Sequence, residues 1–316
     1  MLNENKNLAV VIPCYRSADQ IEKTCNEILQ VLEKSKELEA FKVIFSRIIL
    51  IDDGSDYETK KTLQKVSQHS KIDLISLNKN YGQHPAIFAG VLNSYEDFIV
   101  TMDEDGEHNP EDVIRMIEKV IKTDVDIIYA KFTFSKLNWK ELSSNFSKFV
   151  ISKISGDKNV INFTSFRLVK GSIFRTAAVY ANNGSFLDVA LGWITKKVDV
   201  IQTQKRISNR PSTYNLRSLF GHFGKLFFAT GVRPLIFLFN LGWITSLVSF
   251  FAIIFILYRR VFDYVPVQGW VSNTVVLMFF GGLIISALGL IARYISSIVE
   301  TSSGKPFFTI NNNSND

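Results

Sequence analysis

The chain has 316 residues, 47% of them hydrophobic and 21% charged, and it carries a formal net charge of +6. This composition excludes an intrinsically disordered chain, and the length suits one large domain with an appendage or two modest domains. The two cysteines, Cys14 and Cys25, give neither a metal-ligand spacing nor a disulfide framework, so we expect free thiols.

Strand-like and helix-like segments alternate along the first two thirds of the chain. The expected strands are Leu8–Cys14, Ile48–Ile51, Asp73–Leu77, Asp97–Met102 and Asp126–Ala130. The expected helices are Asp19–Leu38, Thr59–Gln68, Pro85–Asn93 and Pro110–Ile121. Because the strands are nearly all apolar and alternate with helices, the pattern predicts an α/β fold whose mostly parallel sheet has helices on both faces.

The last third of the chain is strongly apolar. Residues 212–233 place apolar side chains on one helical face, which predicts an amphipathic helix in the membrane interface. Two uncharged runs follow, Pro234–Tyr258 and Tyr264–Ala292, and each is longer than the roughly 20 residues that a membrane-spanning helix needs. We therefore expect two transmembrane helices within 234–294, at about 235–258 and 270–292.

A basic segment precedes the first uncharged run. Residues 204–233 carry six basic side chains, and no acidic residue occurs from 200 to 262. Such a segment suits anionic lipid headgroups, whereas the separation of its aromatic and basic residues onto different faces disfavours a nucleic-acid site. The charge bias predicts that the N-terminal domain, 1–211, and the tail, 295–316, both lie in the cytosol.

Three motifs lie in order at the ends of expected strands. The segment 10–15 reads Val-Val-Ile-Pro-Cys-Tyr, the turn 52–56 reads Asp-Asp-Gly-Ser-Asp, and 103–107 reads Asp-Glu-Asp-Gly-Glu. Each motif is common by itself, since an Asp-Gly turn after a strand is usually structural. Sites in parallel α/β sheets lie at the carboxyl ends of strands, so the three motifs in this order predict one shared site.

In these motifs the chain resembles the family-2 glycosyltransferases with the GT-A fold, and among them the polyprenyl-phosphate branch that includes dolichol-phosphate mannose synthases and bacterial bactoprenol glucosyltransferases. Further similar segments are Asn80–Gly90, Asp103–Glu111, Ser165–Leu168 and Arg206–Tyr214. The resemblance covers roughly residues 8–219, and the two uncharged runs match the architecture of the bacterial members. It implies a multi-pass enzyme of the bacterial cytoplasmic membrane that moves a sugar from a nucleotide-sugar, a UDP-sugar being favoured, to undecaprenyl phosphate with inversion.

The resemblance implies a nucleotide-sugar site at the strand ends. Pro13 and Tyr15 would wall the nucleotide, and Asp52 or Asp53 would hydrogen-bond its base or ribose. Asp103 would contact the donor as well. These residue types suit the task, because a nucleotide needs a shaped slot and an acceptor for the ring N–H groups of uracil or guanine.

The resemblance also implies a divalent cation, Mg²⁺ or Mn²⁺, at the donor diphosphate. A hard cation with oxygen ligands neutralises the diphosphate and stabilises the leaving group. Asp103 and Asp105 are the expected ligands, and Asp105 is expected to be essential for catalysis. Glu107 stands where the family usually has Gln, so it either adds a third carboxylate ligand or replaces a polar contact.

The acceptor site departs from the family pattern. A lipid phosphate is mostly dianionic near neutral pH, so it needs positive charge and orientation more than a general base. Where the family has an Arg and an Arg-x-x-x-Ser pair, this chain has Lys131, Lys140 and Ser144, and lysine lacks the bidentate fork of arginine. Arg167 and Arg206 are further candidates for binding the phosphate.

Asp188 lies near the position where many family-2 enzymes have their catalytic acid, and a structural or capping carboxylate is the alternative interpretation.

Three other functions stay open. A processive polysaccharide synthase is disfavoured because the chain lacks an Arg-Trp pair. Another acceptor lipid, such as a diacylglycerol, would need Asp188 as a base, and a non-catalytic membrane module would not need Asp103 or Asp105. The bacterial relatives further imply a homo-oligomer formed through the transmembrane helices.

Overall fold

The structure, a computed structural model, describes residues 5–132, 162–181, 186–204, 270–302 and 306–311, together with the single residues 206, 244, 251, 254 and 258. The strands in these ranges are β1 Lys6–Cys14, β2 Val43–Asp52, β3 Ile72–Ser76, β4 Phe98–Thr101, β5 Ile127–Phe132, β6 Arg167–Lys170 and β7 Val198–Thr203. The helices are α1 Ile21–Leu32, α2 Lys36–Ala40, α3 Tyr57–Val66, α4 Gln83–Leu92, α5 Glu111–Thr123, α6 Gly171–Tyr180, α7 Leu187–Ile194 and α8 Trp270–Ser302.

The expected strands and helices of the first two thirds are present, with shifted boundaries, but one expectation is wrong. The segment 19–38 forms α1 and α2 rather than a single helix. The hydroxyl of Ser35 accepts a hydrogen bond from the N–H of Leu38 at 3.2 Å and caps the start of α2. Serine is favoured at such a position because its oxygen satisfies a backbone donor that the first helical turn leaves unpaired. A local cap therefore overrides the continuous apolar spacing.

One seven-stranded sheet organises the fold, in the order β3-β2-β1-β4-β6-β5-β7. β1 pairs in parallel with β2 and β4, β2 with β3, and β5 with β7, whereas β6 runs antiparallel to β4 and β5. The predicted α/β fold with a mostly parallel sheet is therefore confirmed. The parallel strands also end at one common edge of the sheet, which brings the loops after β1, β2 and β4 together.

Apolar side chains fill both faces of the sheet. Ile28 of α1 and Met116 of α5 belong to the core on one face, and Phe88 of α4 and Phe174 of α6 belong to the core on the other. The approach of α4 is especially close at Gly90, where a Cβ atom would lie 2.7 Å from Cγ1 of Val11. The last turns of α4 thus pack closely against β1.

The expected membrane segments fall mostly outside the described residues. This applies to the amphipathic helix 212–233 and to nearly all of the first expected span, 235–258. The second expected span, 270–292, lies within α8, which continues to Ser302. When only the described residues are considered, no helix is both long enough and apolar enough to cross a membrane.

Both cysteines are buried free thiols, as the sequence indicates. Burial raises the pKa of the Cys25 thiol to about 12. Burial, together with the nearby carboxylate of Glu104, raises the pKa of the Cys14 thiol well above its usual value. Both side chains therefore stay protonated near neutral pH and act as small apolar core residues.

A charged cluster joins residues of β2, β3 and the loop before β4. The guanidinium of Arg47 donates to Oε1 of Glu96 at 2.8 Å and to Oδ2 of Asp73 at 2.5 Å. Glu96 also accepts from the hydroxyl of Ser94 at 2.6 Å. Burial favours the neutral form of Glu96, but the hydrogen bonds from Ser94 and Arg47 outweigh it and lower the pKa of this carboxyl below 4.5. The ionised carboxylate therefore stabilises the folded protein.

We expect the substitution Glu96→Gln to lower the free energy of unfolding at pH 7 by about 1–3 kcal/mol, because a charge-assisted bond is lost. A lowered folded-state pKa contributes stability that is present above the unfolded pKa and is lost as pH falls through the folded pKa. The variant should therefore lose less stability than the wild type between roughly pH 5 and pH 3. Denaturant unfolding across this range measures both effects.

The matched control is Asp73→Asn, since the side chain of Asp73 is 46% exposed and its ion pair is screened by solvent. It should cost less than Glu96→Gln at pH 7. An unchanged acid-unfolding profile in Glu96→Gln would contradict the assignment of this acid sensitivity to Glu96.

Candidate active site

The candidate site lies at the carboxyl edge shared by β1, β2 and β4. Cys14 at the end of β1 pairs with Asp52 at the end of β2, and Val11 pairs with Thr101 at the end of β4. The three sequence motifs, 10–15, 52–56 and 103–107, lie at these strand ends. Strand register therefore collects them at one edge, as their order along the chain predicts.

The loop after β2 is tied back to β1. The Oδ1 atom of Asp52 accepts from the N–H of Ser55 at 2.8 Å, and the hydroxyl of Ser55 donates to the carbonyl of Cys14 at 3.3 Å. Gly54 has φ +68°, and a Cβ atom there would lie 2.5 Å from the backbone nitrogen of Asn80. Glycine is thus required by both backbone conformation and space. The Oδ2 atom of Asp52 is buried and has no hydrogen-bond partner among the residues that the structure describes.

Asp53 holds the loop that leads into α4. Its Oδ1 atom accepts from the N–H of Tyr81 at 2.7 Å, and its Oδ2 atom accepts from the N–H of Gly82 at 2.8 Å. Burial raises the pKa of this carboxyl, and the two backbone hydrogen bonds oppose the rise. Both oxygens of Asp53 therefore serve the backbone, and of the two predicted nucleotide contacts Asp52 is the one with an unpartnered oxygen.

Asp103, the first residue of the acidic cluster, is held by three side chains. Its Oδ1 atom accepts from the amide of Gln83 at 2.7 Å, and its Oδ2 atom accepts from the hydroxyl of Ser165 at 2.5 Å. The Nε2 atom of His108 lies 3.6 Å from the same Oδ2 atom. The side chain of Asp103 is still 28% exposed. A partly exposed carboxylate in a fixed orientation is suited to bind a cation.

His108 acts as a brace for this carboxylate. Its Nδ1 atom accepts from the backbone N–H of Asp103 at 3.1 Å, so the proton of a neutral ring sits on Nε2, the atom that faces the carboxylate. The ring stacks on Phe166 with centroids 4.6 Å apart and also contacts Phe132. The sequence does not predict the roles of His108, Gln83 and Ser165. For His108, its position five residues after Asp103 is the pattern that could have indicated a role at the site.

The turn after Asp103 presents Asp105 and connects the cluster to Tyr15. The Oδ1 atom of Asp105 accepts from the N–H of Glu107 at 3.0 Å across Gly106, which has φ +71°. The Oε2 atom of Glu104 accepts from the N–H of Tyr15 at 2.7 Å. The side chain of Tyr15 is 40% exposed at the same edge. The predicted nucleotide wall and the acidic cluster thus form one continuous surface.

Asp103 and Asp105 fit a hard divalent cation, because both offer partly exposed carboxylate oxygens two residues apart after one strand. Among the residues that the structure describes, no group of three or more His, Cys, Asp and Glu side chains could hold a metal ion by itself. Mg²⁺ is commonly bound by one or two carboxylates together with the phosphates of a substrate. The role of Glu107 as a third ligand stays a prediction.

Arg167 and Asp188 form a buried ion pair. Arg167 Nη1 donates to Asp188 Oδ1, and their side chains are 3% and 8% exposed. The hydroxyl of Tyr129 donates to the same oxygen at 2.9 Å, and the guanidinium lies over the ring of Tyr129. The sequence analysis placed Arg167 at the acceptor phosphate and Asp188 in catalysis or in a structural role. The structure brings these two residues together, so each neutralises the other.

Of the remaining predicted acceptor residues, the structure describes Lys131 and Arg206. Lys131 lies near the carboxyl end of β5, at the same edge as Asp103. Arg206 donates to Glu27 at 2.7 Å and to Asn109 at 2.8 Å, and its N–H donates to the carbonyl of Glu107. Arg206 therefore stabilises the end of the acidic cluster through its hydrogen bonds to Glu107 and Asn109. Lys140 and Ser144 lie outside the described residues.

Residues 9–179 match the model of glycosyl transferase family 2, and this range contains all three sequence motifs. An uncharacterized glycosyltransferase of Synechocystis sp. is 24% identical over 96% of this chain and 94% of its own length. An undecaprenyl-phosphate 4-deoxy-4-formamido-L-arabinose transferase of Edwardsiella ictaluri is 24% identical over 96% of this chain and 93% of its own length.

Solved structures share the fold at low sequence identity. The mannosyl-3-phosphoglycerate synthase of Rubrobacter xylanophilus has a TM-score of 0.54 and 14% identity, over 72% of this chain and 74% of its own. The glucosyl-3-phosphoglycerate synthase of Mycobacterium tuberculosis, in complex with Mn²⁺ and UDP-glucose, has a TM-score of 0.54 and 13% identity, over 72% and 79%. These similarities show that the α/β architecture is that of sugar transferases, the GT-A fold.

The buried ion pair gives a test of its structural role. We expect Arg167→Met to destabilise the protein by about 3–5 kcal/mol, because the carboxylate of Asp188 is left buried without its cation. The double variant Arg167→Met/Asp188→Leu should recover most of this loss, since no charge then remains in the apolar site. Denaturant unfolding of both single variants and the double variant measures the coupling.

Tyr129→Phe is the matched control, because it removes one hydrogen bond to the Asp188 carboxylate but keeps the ion pair, and it should cost only about 1.5–3 kcal/mol. If the double variant instead loses the sum of the two single losses, the two residues are independent and the ion-pair interpretation is wrong.

Proposed function

This chain belongs to glycosyl transferase family 2, and we propose that it transfers a sugar from a nucleotide-sugar to a polyprenyl phosphate. That the chain is a glycosyltransferase follows from its family and its relatives. The observation that carries the finer proposal is the fixed carboxylate of Asp103, with Asp105 two residues further along, at the carboxyl edge of the sheet. A diphosphate leaving group needs such a cation-binding pair.

In the proposed donor site, Asp103 and Asp105 hold Mg²⁺ or Mn²⁺ against the diphosphate. The cation would neutralise the negative charge that develops on the leaving group. Gln83, Ser165 and His108 fix Asp103 before the donor binds, so little reorganisation is needed during the reaction. The Mn²⁺ and UDP-glucose bound by the structurally similar mycobacterial synthase support this assignment.

The nucleotide would lie against Pro13 and Tyr15. Tyr15 is exposed and joined to the acidic cluster through Glu104, so its ring is positioned beside the diphosphate site. The Oδ2 atom of Asp52, which has no hydrogen-bond partner among the described residues, is suited to accept from a ring N–H group of uracil or guanine. The UDP-glucose bound by the structurally similar mycobacterial synthase supports a UDP-sugar as the donor. Asp53 would act indirectly, by holding the loop at Tyr81 and Gly82.

On the acceptor side, a phosphate suits the site better than a hydroxyl. A hydroxyl acceptor needs a general base, and the obvious candidate, Asp188, is buried in an ion pair with Arg167. A lipid phosphate is already a nucleophile near neutral pH. Its attack on the anomeric carbon from the face opposite the leaving diphosphate would give an inverted product. Lys131, which lies at the same edge, would supply positive charge.

We further propose a multi-pass protein of the bacterial cytoplasmic membrane, with the catalytic domain on the cytosolic side and the subunits associated through the transmembrane helices. The uncharged runs, the basic segment 204–233 and the full-length similarity to undecaprenyl-phosphate transferases support this proposal. The basic segment would place the active site close to the headgroup region, where a lipid phosphate is presented.

The test is a transfer assay on membranes that contain the full chain. It combines undecaprenyl phosphate with a panel of radiolabelled UDP- and GDP-sugars, with Mg²⁺, with Mn²⁺, or with a chelator. We expect one donor to yield labelled lipid only when the cation is present. Asp103→Asn and Asp105→Asn should each lower the rate by at least roughly 100-fold, because several kcal/mol of transition-state stabilisation is lost.

Asp124→Asn is the matched control and should keep full activity, since this exposed carboxylate lies at the opposite edge of the sheet. Full activity in the chelator, or in Asp105→Asn, would refute the metal-dependent donor site. If no donor labels undecaprenyl phosphate while diacylglycerol is labelled, the acceptor assignment is wrong and a hydroxyl is the acceptor.

A further inference from the structure

A short segment far along the chain covers the free edge of the sheet. Residues 306–311 run antiparallel to the end of β3, with Ile310 opposite Leu77. The N–H of Asn78 donates to the carbonyl of Thr309 at 3.0 Å, and the N–H of Asn311 donates to the carbonyl of Ser76 at 2.7 Å. β3 is the outermost strand on this side. The segment therefore satisfies backbone groups that an edge strand leaves open.

Apolar contacts fix this segment in place. The ring of Phe307 lies 5.5 Å from the ring of Phe88 in α4. Phe308 and Ile310 also pack against the core on the α4 face of the sheet. Because two aromatic side chains and an aliphatic one hold the backbone, the side chain between them, Thr309, has a defined position.

Thr309 is joined to the loop that enters α4. Its Oγ1 atom accepts from the amide of Asn78 at 2.8 Å and shares a hydrogen bond of 2.6 Å with the hydroxyl of Tyr81. Tyr81 and Thr309 are 228 positions apart in the sequence. A hydroxyl can donate once and accept twice, so Thr309 can satisfy both partners at once.

Tyr81 lies directly beside the candidate donor site. Its own N–H and that of Gly82 are held by Asp53, and the next residue, Gln83, donates to Asp103. Tyr81 is thus bound at its backbone by one site carboxylate and at its hydroxyl by Thr309. If the hydroxyl contact is lost, the ring of Tyr81 loses the hydrogen bond that fixes its outer end.

We propose that Thr309 is a positioning residue of the donor site. It fixes the ring of Tyr81, and through it the segment Tyr81–Gln83, so that Gln83 keeps Asp103 oriented toward a nucleoside diphosphate and its cation. This inference rests on the proposed function, because it assumes that the donor diphosphate binds at Asp103. A purely edge-covering segment would affect stability but not donor affinity.

The test compares Thr309→Val, which keeps the shape but lacks the hydroxyl, with Thr309→Ser, which keeps the hydroxyl. Binding of UDP and of GDP with Mn²⁺ to the full chain is measured by calorimetry. We expect Thr309→Val to weaken binding roughly three- to tenfold, the effect of one lost hydrogen bond, and Thr309→Ser to restore it. In the transfer assay, the KM for the donor should rise while the KM for the acceptor lipid stays unchanged.

Two further variants show the path of the effect. Tyr81→Phe should also weaken binding, and adding Thr309→Val to it should weaken binding little further, because the hydrogen bond between the two hydroxyls is already lost and only the bond from Asn78 is then removed. Thr176→Val, whose hydroxyl donates to a carbonyl within α6, should leave binding unchanged. Hydrogen exchange at the amides of Tyr81 and Gly82 should be faster in Thr309→Val than in the wild type.

The outcomes separate this inference from the proposed function. Equal nucleotide affinity and equal hydrogen exchange in Thr309→Val and the wild type would overturn the inference and leave the donor site intact. If the wild type binds neither nucleotide, the proposed function fails. Hydrogen exchange at Tyr81 would then still decide whether Thr309 orders the loop.

Discussion

The parallel register of β1, β2 and β4 is the constraint on which the candidate site depends. It brings three strand ends to one edge of the sheet, so strand pairing by itself places the loops that follow them side by side. Side chains then join the loops in pairs: Asp53 binds the loop before α4, α4 returns Gln83 to Asp103, and Glu104 binds Tyr15. Each donor-site loop is therefore held by a residue of another loop, and a shift of one strand would misplace all of them.

The sequence predicted the architecture and the place of the site, because both follow from local patterns. Apolar runs define the strands, and the acidic clusters follow them directly. It did not predict which side chains orient Asp103. Ser165 lies just before β6 and is 62 positions from Asp103 along the chain. β6 is antiparallel to its neighbours, and a repeating strand-helix pattern does not predict an antiparallel strand. Thr309 is more remote still. Such contacts arise from tertiary packing, so residue spacing carries no signal for them.

The buried ion pair between Arg167 and Asp188 changes the interpretation of the acceptor site. Arg167 is a predicted contact of the acceptor phosphate, and Asp188 is predicted to be either a catalytic or a structural carboxylate. A charge buried with its counter-ion is neutralised, and separating the two costs several kcal/mol. The pair packs with Tyr129 beneath the edge of the sheet, where it can support the strands that carry the site. The positive charge for an acceptor phosphate must then come from other residues, of which Lys131 lies at the edge.

The central claim is that the carboxylates of Asp103 and Asp105 bind the cation that accompanies the donor diphosphate. Crystals of the full chain grown with Mn²⁺ and UDP would test it most directly, because the anomalous scattering of manganese locates the ion independently of the chain. We expect a single strong manganese peak, coordinated by one or both carboxylates and by the diphosphate oxygens. If the nucleotide binds at this edge while manganese lies elsewhere, or while neither carboxylate contacts the ion, Asp103 and Asp105 are not the cation ligands.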